Sequence, residues 1–169
     1  KVLLTGHTGF KGTWLSLILT SLNAEVVGYA LKPNTEPSFF AAVEDKLKVQ
    51  SIIGDIKDYQ HLKQVVDKVN PEIIFHFAAQ SSVPLSLKNF YKSSANNIES
   101  SLKVFEFSKQ FSAPIVYASS SAIYGNLPIG NDQKEKFSIT SPYAQDKLTV
   151  EYYAKILFEV FKISSVGLR

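Results

Sequence analysis

Residues Thr5 to Gly12, read as Thr-Gly-His-Thr-Gly-Phe-Lys-Gly, constrain this chain more than any other stretch. They stand between an apolar run, Val2 to Leu4, and an apolar-periodic segment carrying Trp14, Leu15, Leu17, Ile18, Leu19 and Leu22. That order predicts a strand turning tightly into a helix. Gly6, Gly9 and Gly12 would let the backbone turn, approach a pyrophosphate closely and pack the helix against a sheet. The exposed amides at the helix start would then form an anion site. A glycine triplet alone also suits an ordinary strand-to-helix turn, but the βα units that follow favour the dinucleotide reading.

Strand-like runs recur at Val2 to Thr5, Glu25 to Ala30, Val49 to Ile53, Ile73 to Phe77, Ile115 to Ala118 and Ile163 to Leu168. Helix-like stretches separate most of them: Gly12 to Leu22, Tyr59 to Val69, Ser93 to Phe111 and Tyr143 to Phe161. This alternation predicts an α/β fold, a Rossmann-type doubly wound parallel sheet with helices on both faces. Ligands in such sheets bind at the carboxyl ends of the strands. Asn70-Pro71 and Ala113-Pro114 should each close a helix, because the residue before proline is pushed out of the α region. The segment Gly125 to Ser141, rich in Asn, Pro, Gly and charge, reads as a long loop, of a length that in a compact domain is usually functional or mobile.

A length of 169 residues suits one domain, residues 1–169. The net charge of +3 is small and its lysines and arginine are scattered, so no nucleic-acid or membrane partner is expected. The absence of cysteine excludes disulfides and thiolate catalysis within the chain, and His7, His61 and His76 lack metal-ligand spacing. No apolar run approaches transmembrane length and no signal peptide is visible, which makes the cytoplasm the expected location. The chain starts inside a strand and stops straight after an apolar stretch, the pattern of a piece of a longer protein.

Ser119-Ser120-Ser121 follows the fifth apolar run, and Tyr143-Ala-Gln-Asp-Lys147 opens the last helix. Four residues make about one helical turn, so Tyr143 and Lys147 should share a face. An ammonium near a phenol favours the phenolate, which makes Tyr143 a candidate general acid/base. A serine hydroxyl at the strand end could hold the oxygen whose proton Tyr143 moves. By itself Tyr-x-x-x-Lys also describes a solvated helix face; its place downstream of the glycine loop favours chemistry. Asp55 has a second reading as a turn cap. His76, inside an apolar strand, reads as a packed, hydrogen-bonded side chain, and Phe105, Phe107, Phe111, Phe158 and Phe161 as residues packing helices.

Five segments together resemble the nucleotide-binding part of an extended short-chain dehydrogenase/reductase of the sugar-nucleotide epimerase and dehydratase branch: Thr5 to Gly12, Gly54 to Ile56, Ile74 to Gln80, Ser119 to Gly125 and Ser141 to Lys147. The resemblance implies NAD as cofactor, a nucleotide-sugar substrate and often a homodimer built from the segments Ser93 to Phe111 and Tyr143 to Phe161. It implies that Gly6, Thr8, Gly9, Phe10, Lys11 and Gly12 surround the pyrophosphate, with Ala30 and Leu31 at the end of the second strand and Asp55 and Ile56 beside the adenine. Phe77, Ala78, Ala79, Gln80, Asn97 and Ala118 would line the cofactor crevice. Tyr143 and Lys147 would carry the chemistry, Lys147 also touching the nicotinamide ribose. Ser120 matches the family's catalytic Ser/Thr, with Ser121 as the neighbouring alternative. A smaller C-terminal substrate-binding region, usual in the family, would lie beyond Arg169.

Two departures matter. Ala30, followed by Leu31 and Lys32, stands where NAD-binding versions place an acidic residue, which keeps NADP as the alternative cofactor. The stretch Thr5 to Leu31 nevertheless resembles CDP-glucose 4,6-dehydratases, which use NAD with an Ala-Leu ending. Ser121 and Ala122 stand where dehydratases carry the acid and its partner that expel water, whereas Ser119 to Pro128 and Ser141 to Lys147 resemble UDP-hexose 4-epimerases. The expected function is an NAD-dependent sugar-nucleotide epimerase acting by transient C4 oxidation. The alternatives are a 4,6-dehydratase, an NADPH-dependent 4-ketosugar reductase and, from another class, a non-catalytic dinucleotide-sensing module.

Overall fold

A computed structural model describes residues 1–126 and 137–169. The strands are β1 Val2–Thr5, β2 Val26–Ala30, β3 Val49–Ile53, β4 Ile73–His76, β5 Ile115–Ala118 and β6 Ser165–Leu168. The helices are α1 Phe10–Ser21, α2 Phe39–Val43, α3 Tyr59–Val69, α4 Val83–Lys88, α5 Phe90–Ser94, α6 Ser100–Phe111 and α7 Pro142–Phe161. All neighbouring strands pair in parallel, in the order β3-β2-β1-β4-β5-β6. The order reverses between β1 and β4, and this switch point opens a crevice at the strands' carboxyl ends.

Alternation along the strands divides the core. Leu3, Val27, Ile74 and Ile115 pack against Leu62 and Val66 of α3, Val104 and Phe107 of α6, and Val150 and Leu157 of α7. Val2, Leu4 and Val26 face the other way, toward Leu15 and Leu19 of α1. Helices therefore cover both faces, as the βα alternation predicts. The predicted α3 boundaries are those observed; it ends where Asn70, in the left-handed conformation before Pro71, bonds back to Val66.

On α1 the inward face combines Gly12, Thr13 and Ser16 with the partly buried Leu15 and Leu19, while Phe10, Trp14, Ile18 and Leu22 are 69%, 49%, 52% and 71% exposed. Close approach of the start of this helix to the sheet requires small side chains there. Two expectations change. Phe158 and Phe161 are exposed rather than packed in the core, Phe161 lying beneath Lys109 Nζ at 4.4 Å, whereas Phe105 and Phe107 are buried as expected. The helix expected from Ser93 starts at Phe90 and widens into a π-helical turn, Ala95–Glu99, before α6. Of the expected loop Gly125 to Ser141, residues 127–136 lie outside the described residues.

Candidate active site

The glycine loop has the geometry its sequence demands. Gly6 adopts φ +78°, and a Cβ there would stand 2.7 Å from the amide nitrogen of Ala78. At Gly12 a Cβ would stand 2.1 Å from the Gly6 carbonyl oxygen. Gly9 precedes α1 without a side-chain cap, so the first helical amides remain available to an anion. Thr13 tightens the turn by donating its hydroxyl to the carbonyls of His7 and Gly9, at 3.0 and 2.9 Å. Thr8 ties the loop to the end of β2 by donating to the Leu31 carbonyl at 2.8 Å.

A crevice of about 440 Å³ opens above this loop, within the range of small-molecule sites. Gly6, Thr8 and Gly9 line one side, Ala30 and Leu31 a second, Asp55 and Ile56 a third, and Phe77 to Gln80 the fourth. Eleven of the residues expected around a dinucleotide thus converge on one space. Asp55 serves its second reading as well: its Oδ1 accepts from the Lys57 amide at 2.9 Å. The ring of Phe10 turns away to pack 5.7 Å from Phe39, leaving Phe10 only its backbone at the helix start. Gly12 is buried under the loop. Lys32 and Gly54, beside the expected residues, also line the crevice, and the sequence does not point to Pro33, Asn34, Lys57, Lys92 and Asn96, which join them. Most sit just beyond a strand end, a positional signal that residue type does not carry.

Phe77 is shared with a second depression of about 340 Å³, lined also by Lys11, Ala118, Ser120, Ser121 and Tyr143. The Ser120 hydroxyl accepts from the Ala122 amide at 3.1 Å and caps the short 3₁₀ turn Ser121–Tyr124, so its own proton stays free to be donated. Ser121 is more exposed and has no such anchor. Ser119 also borders the depression, but its hydroxyl is committed to Glu151, which is also held by Arg169. Ser141 caps α7 by accepting from the Ala144 amide, and Pro142 fills the first helical position, which presents Tyr143 at the depression. One turn on, Lys147 is only 6% exposed; its Nζ donates to the Ala118 carbonyl at 2.8 Å and lies 5.9 Å from the Tyr143 ring centre. Burial is the main cause that lowers the Lys147 ammonium to about 8, aided by Lys11 and opposed by Asp146.

Behind both spaces runs a chain of hydrogen bonds. Thr5 Oγ1 accepts from the amides of Phe77 and Ala78 and meets His76 Nδ1 at 2.8 Å; His76 Nε2 meets Ser101 Oγ at 3.0 Å; Ser101 donates to the Asn97 carbonyl at 2.5 Å. Burial, with a smaller push from Lys147, lowers His76 to about 3, so it stays neutral, the packed residue the sequence suggests. Asn97 faces this chain rather than the crevice. Its amide clamps Gln80, accepting from the backbone N–H at 2.9 Å and donating to the carbonyl at 3.1 Å, and donates to Asp146 Oδ2 at 3.1 Å. Asp146, next to Lys147 and 2% exposed, escapes a sequence reading because its donors come from a distant helix.

The pattern of the NAD dependent epimerase/dehydratase family matches residues 2–169. A CDP-glucose 4,6-dehydratase of Salmonella typhimurium is 37% identical over 158 residues, covering 91% of this chain and 44% of its own length. UDP-glucuronate 4-epimerase 6 of Arabidopsis thaliana is 32% identical over 178 residues, covering all of this chain and 38% of its own. The fold superposes on the Thermus thermophilus UDP-glucose 4-epimerase, solved in complex with NAD, with a TM-score of 0.87 and 27% identity, covering 99% of this chain and 54% of that one. The chain thus spans about two fifths of the length of these curated relatives. Among the described residues, no helix is long and apolar enough to cross a membrane.

Proposed function

The chain belongs to the NAD dependent epimerase/dehydratase family, and from that premise we propose that it is the cofactor-binding part of an NAD-dependent nucleotide-sugar epimerase acting by transient C4 oxidation. The observation that carries this reading is the adjoining pair of spaces: a glycine-floored crevice that shares its Phe77 wall with a depression where Ser120, Ser121 and Tyr143 meet. Among the described residues that line the depression there is no carboxylate. A dehydratase needs a proton donor to expel water from the sugar; an epimerase needs only one group that takes a proton and gives it back.

The glycine cradle, the uncapped start of α1 and the size of the crevice fit a dinucleotide. NAD, when bound, supplies reversible two-electron oxidation at C4. Gly6, Thr8 and Gly9 with the first amides of α1 would hold its diphosphate, and Asp55, Ile56, Ala78 and Ala79 its adenosine half. Tyr143 takes the proton of the C4 hydroxyl on oxidation and returns it on reduction. Ser120 donates to the same oxygen and orients it. Lys147 in its ammonium form stabilises the Tyr143 phenolate. Neither Ala30 nor Leu31 offers a carboxylate to bind a ribose diol, and Lys32 stands nearby as a cation for a 2′-phosphate, so NADP is the cofactor to test beside NAD.

The second reading is a 4,6-dehydratase, favoured by the 37% identical relative. Incubating the full-length protein and NAD with UDP-, GDP-, CDP- and dTDP-hexoses separates the two. Interconversion of C4 epimers without net cofactor reduction is expected; loss of water from the sugar would install the dehydratase, and net NADPH consumption the reductase. A homodimer belongs to the same proposal, supported by an exposed apolar stripe on α7 formed by Tyr152, Tyr153, Ile156 and Val160. So does a cytoplasmic location, tested by cell fractionation.

A further inference from the structure

Asp146 is the one strongly buried carboxylate beside the Tyr143 and Lys147 turn, and its place in the structure is elaborate. Ser93 Oγ donates to its Oδ2 at 2.7 Å and Ser94 Oγ to its Oδ1 at 2.6 Å, with Asn97 Nδ2 at 3.1 Å from Oδ2. These donors come from α5 and the π-helical turn that follows it, and such a turn often marks a functional position. Three donors thus converge on one carboxylate, which directly precedes the buried Lys147 in the chain. Among the described residues Lys147 itself has a single hydrogen-bond acceptor, the Ala118 carbonyl. The other titratable groups facing it are Tyr143 on its own helix, Lys11 from α1 and neutral His76 from β4; Glu151, one turn further along α7, is engaged by Arg169 and Ser119.

We propose that Asp146 is a positioning residue of this site: held by Ser93, Ser94 and Asn97, it locks α7 to the Gln80 wall of the crevice and keeps Lys147 in its ammonium form over the working pH range. The proposal rests on the Tyr143 and Lys147 roles given above. It concerns a residue that touches neither substrate nor cofactor and acts through Lys147. Without its charge Lys147 loses its proton at lower pH, and Tyr143 then loses the cation that favours its phenolate.

The test uses the full-length protein with its cofactor. In Asp146→Asn the alkaline limb of the kcat profile should move down by about one pH unit, the lower end of what a nearby opposite charge supplies. The Ser93→Ala, Ser94→Ala double variant keeps the charge but loosens its seat; its kcat should fall at pH 7 with KM nearly unchanged, and its alkaline limb should stay in place. A readout without cofactor or turnover is the melting temperature against pH. Lys147 gives up its proton more readily folded than unfolded, so wild-type stability rises above about pH 8; in Asp146→Asn the rise should start lower. An Asp146→Asn variant with both curves superimposed on wild type overturns the proposal. If that variant does not fold, an unchanged kcat in the double serine variant overturns it instead. Tyr143→Phe and Lys147→Met are run alongside: full turnover in these would sink the acid/base reading itself, which is a different failure.

Discussion

At the scale of single residues, the sequence signals that succeed are those with one physical cause. Gly6 and Gly12 are legible because the space around them admits no side chain, whereas Gly9 owes its place to the helix start and not to crowding. Gly12→Ala should therefore destabilise the protein by about 2 kcal/mol or more, as overpacking does, and abolish cofactor binding. In contrast Gly9→Ala, with a Cβ 3.4 Å from its nearest neighbour, should change the melting temperature little. Thermal unfolding of both variants checks the contrast. His7 illustrates what residue type does not reveal. It is wholly buried between Ser51, 2.7 Å from Nε2, and the edge of Phe40, with Nδ1 unpartnered, and burial lowers it from 6.5 to about 4. The unfolded chain thus takes up the proton first as pH falls: the neutral ring costs nothing above pH 6.5, and stability is lost on going down toward 4, on the order of 3 kcal/mol in full. Denaturant unfolding between pH 7 and 4 should show this slope, and His7→Asn should reduce it to the part that His76, also kept neutral by burial, supplies.

At the scale of elements, βα alternation foretells every strand: the central strands β1 and β2, buried along their length, are continuous apolar runs, and the edge strands β3 and β6, largely exposed, are betrayed by their place between helical stretches. What stays hidden are elements made by contacts remote in sequence. α2 has no sequence signature beyond five residues, and it forms where Phe39 meets Phe10 and Trp14 while Phe40 meets His7. The inward face of α1 is only partly legible for a related reason: hydrophobic periodicity includes Leu15 and Leu19, which pack on the sheet, but does not announce Thr13 and Ser16, which a helix pressed on a glycine loop buries. The π-helical turn between α5 and α6 widens the helix so that Asn97 can clamp both Gln80 and Asp146, which no local pattern announces. Asn97→Ala leaves the Gln80 amide and one Asp146 oxygen short of a partner. A stability loss of about 1 to 3 kcal/mol is expected, accompanied by weaker NAD binding because the Gln80 wall is released. Calorimetric titration of NAD into the folded variant measures the second effect apart from the first. Within the serine run the resemblance points to Ser120 with Ser121 beside it; what it does not reveal is that the Ser119 hydroxyl is committed to Glu151, while Ser120 caps the 3₁₀ turn at the depression.

At the scale of the whole molecule, two faces of the sheet meet solvent on different terms. The face under α3, α6 and α7 is filled by a continuous core, yet α7 turns a second apolar surface outward, with Tyr152, Tyr153, Ile156 and Val160 recurring at helical spacing. Lys155 and Glu159 flank this stripe, paired at 3.7 Å on the same helix. An exposed stripe of this kind is costly for an isolated molecule and natural for one whose α7 meets a second copy. Because a two-fold interface uses the same patch on both partners, one substitution places two charges in it. Ile156→Glu should therefore convert the proposed dimer into a monomer in sedimentation experiments on the full-length protein, while a charge across the sheet, at exposed Leu22 just after α1, should leave the assembly intact. The two variants also separate assembly from catalysis: the depression with Tyr143 lies at the start of α7 and the stripe begins more than two turns later. A monomeric Ile156→Glu protein that still interconverts sugars would show that each copy carries a complete site, and a sedimentation profile unchanged from wild type would remove α7 from the interface.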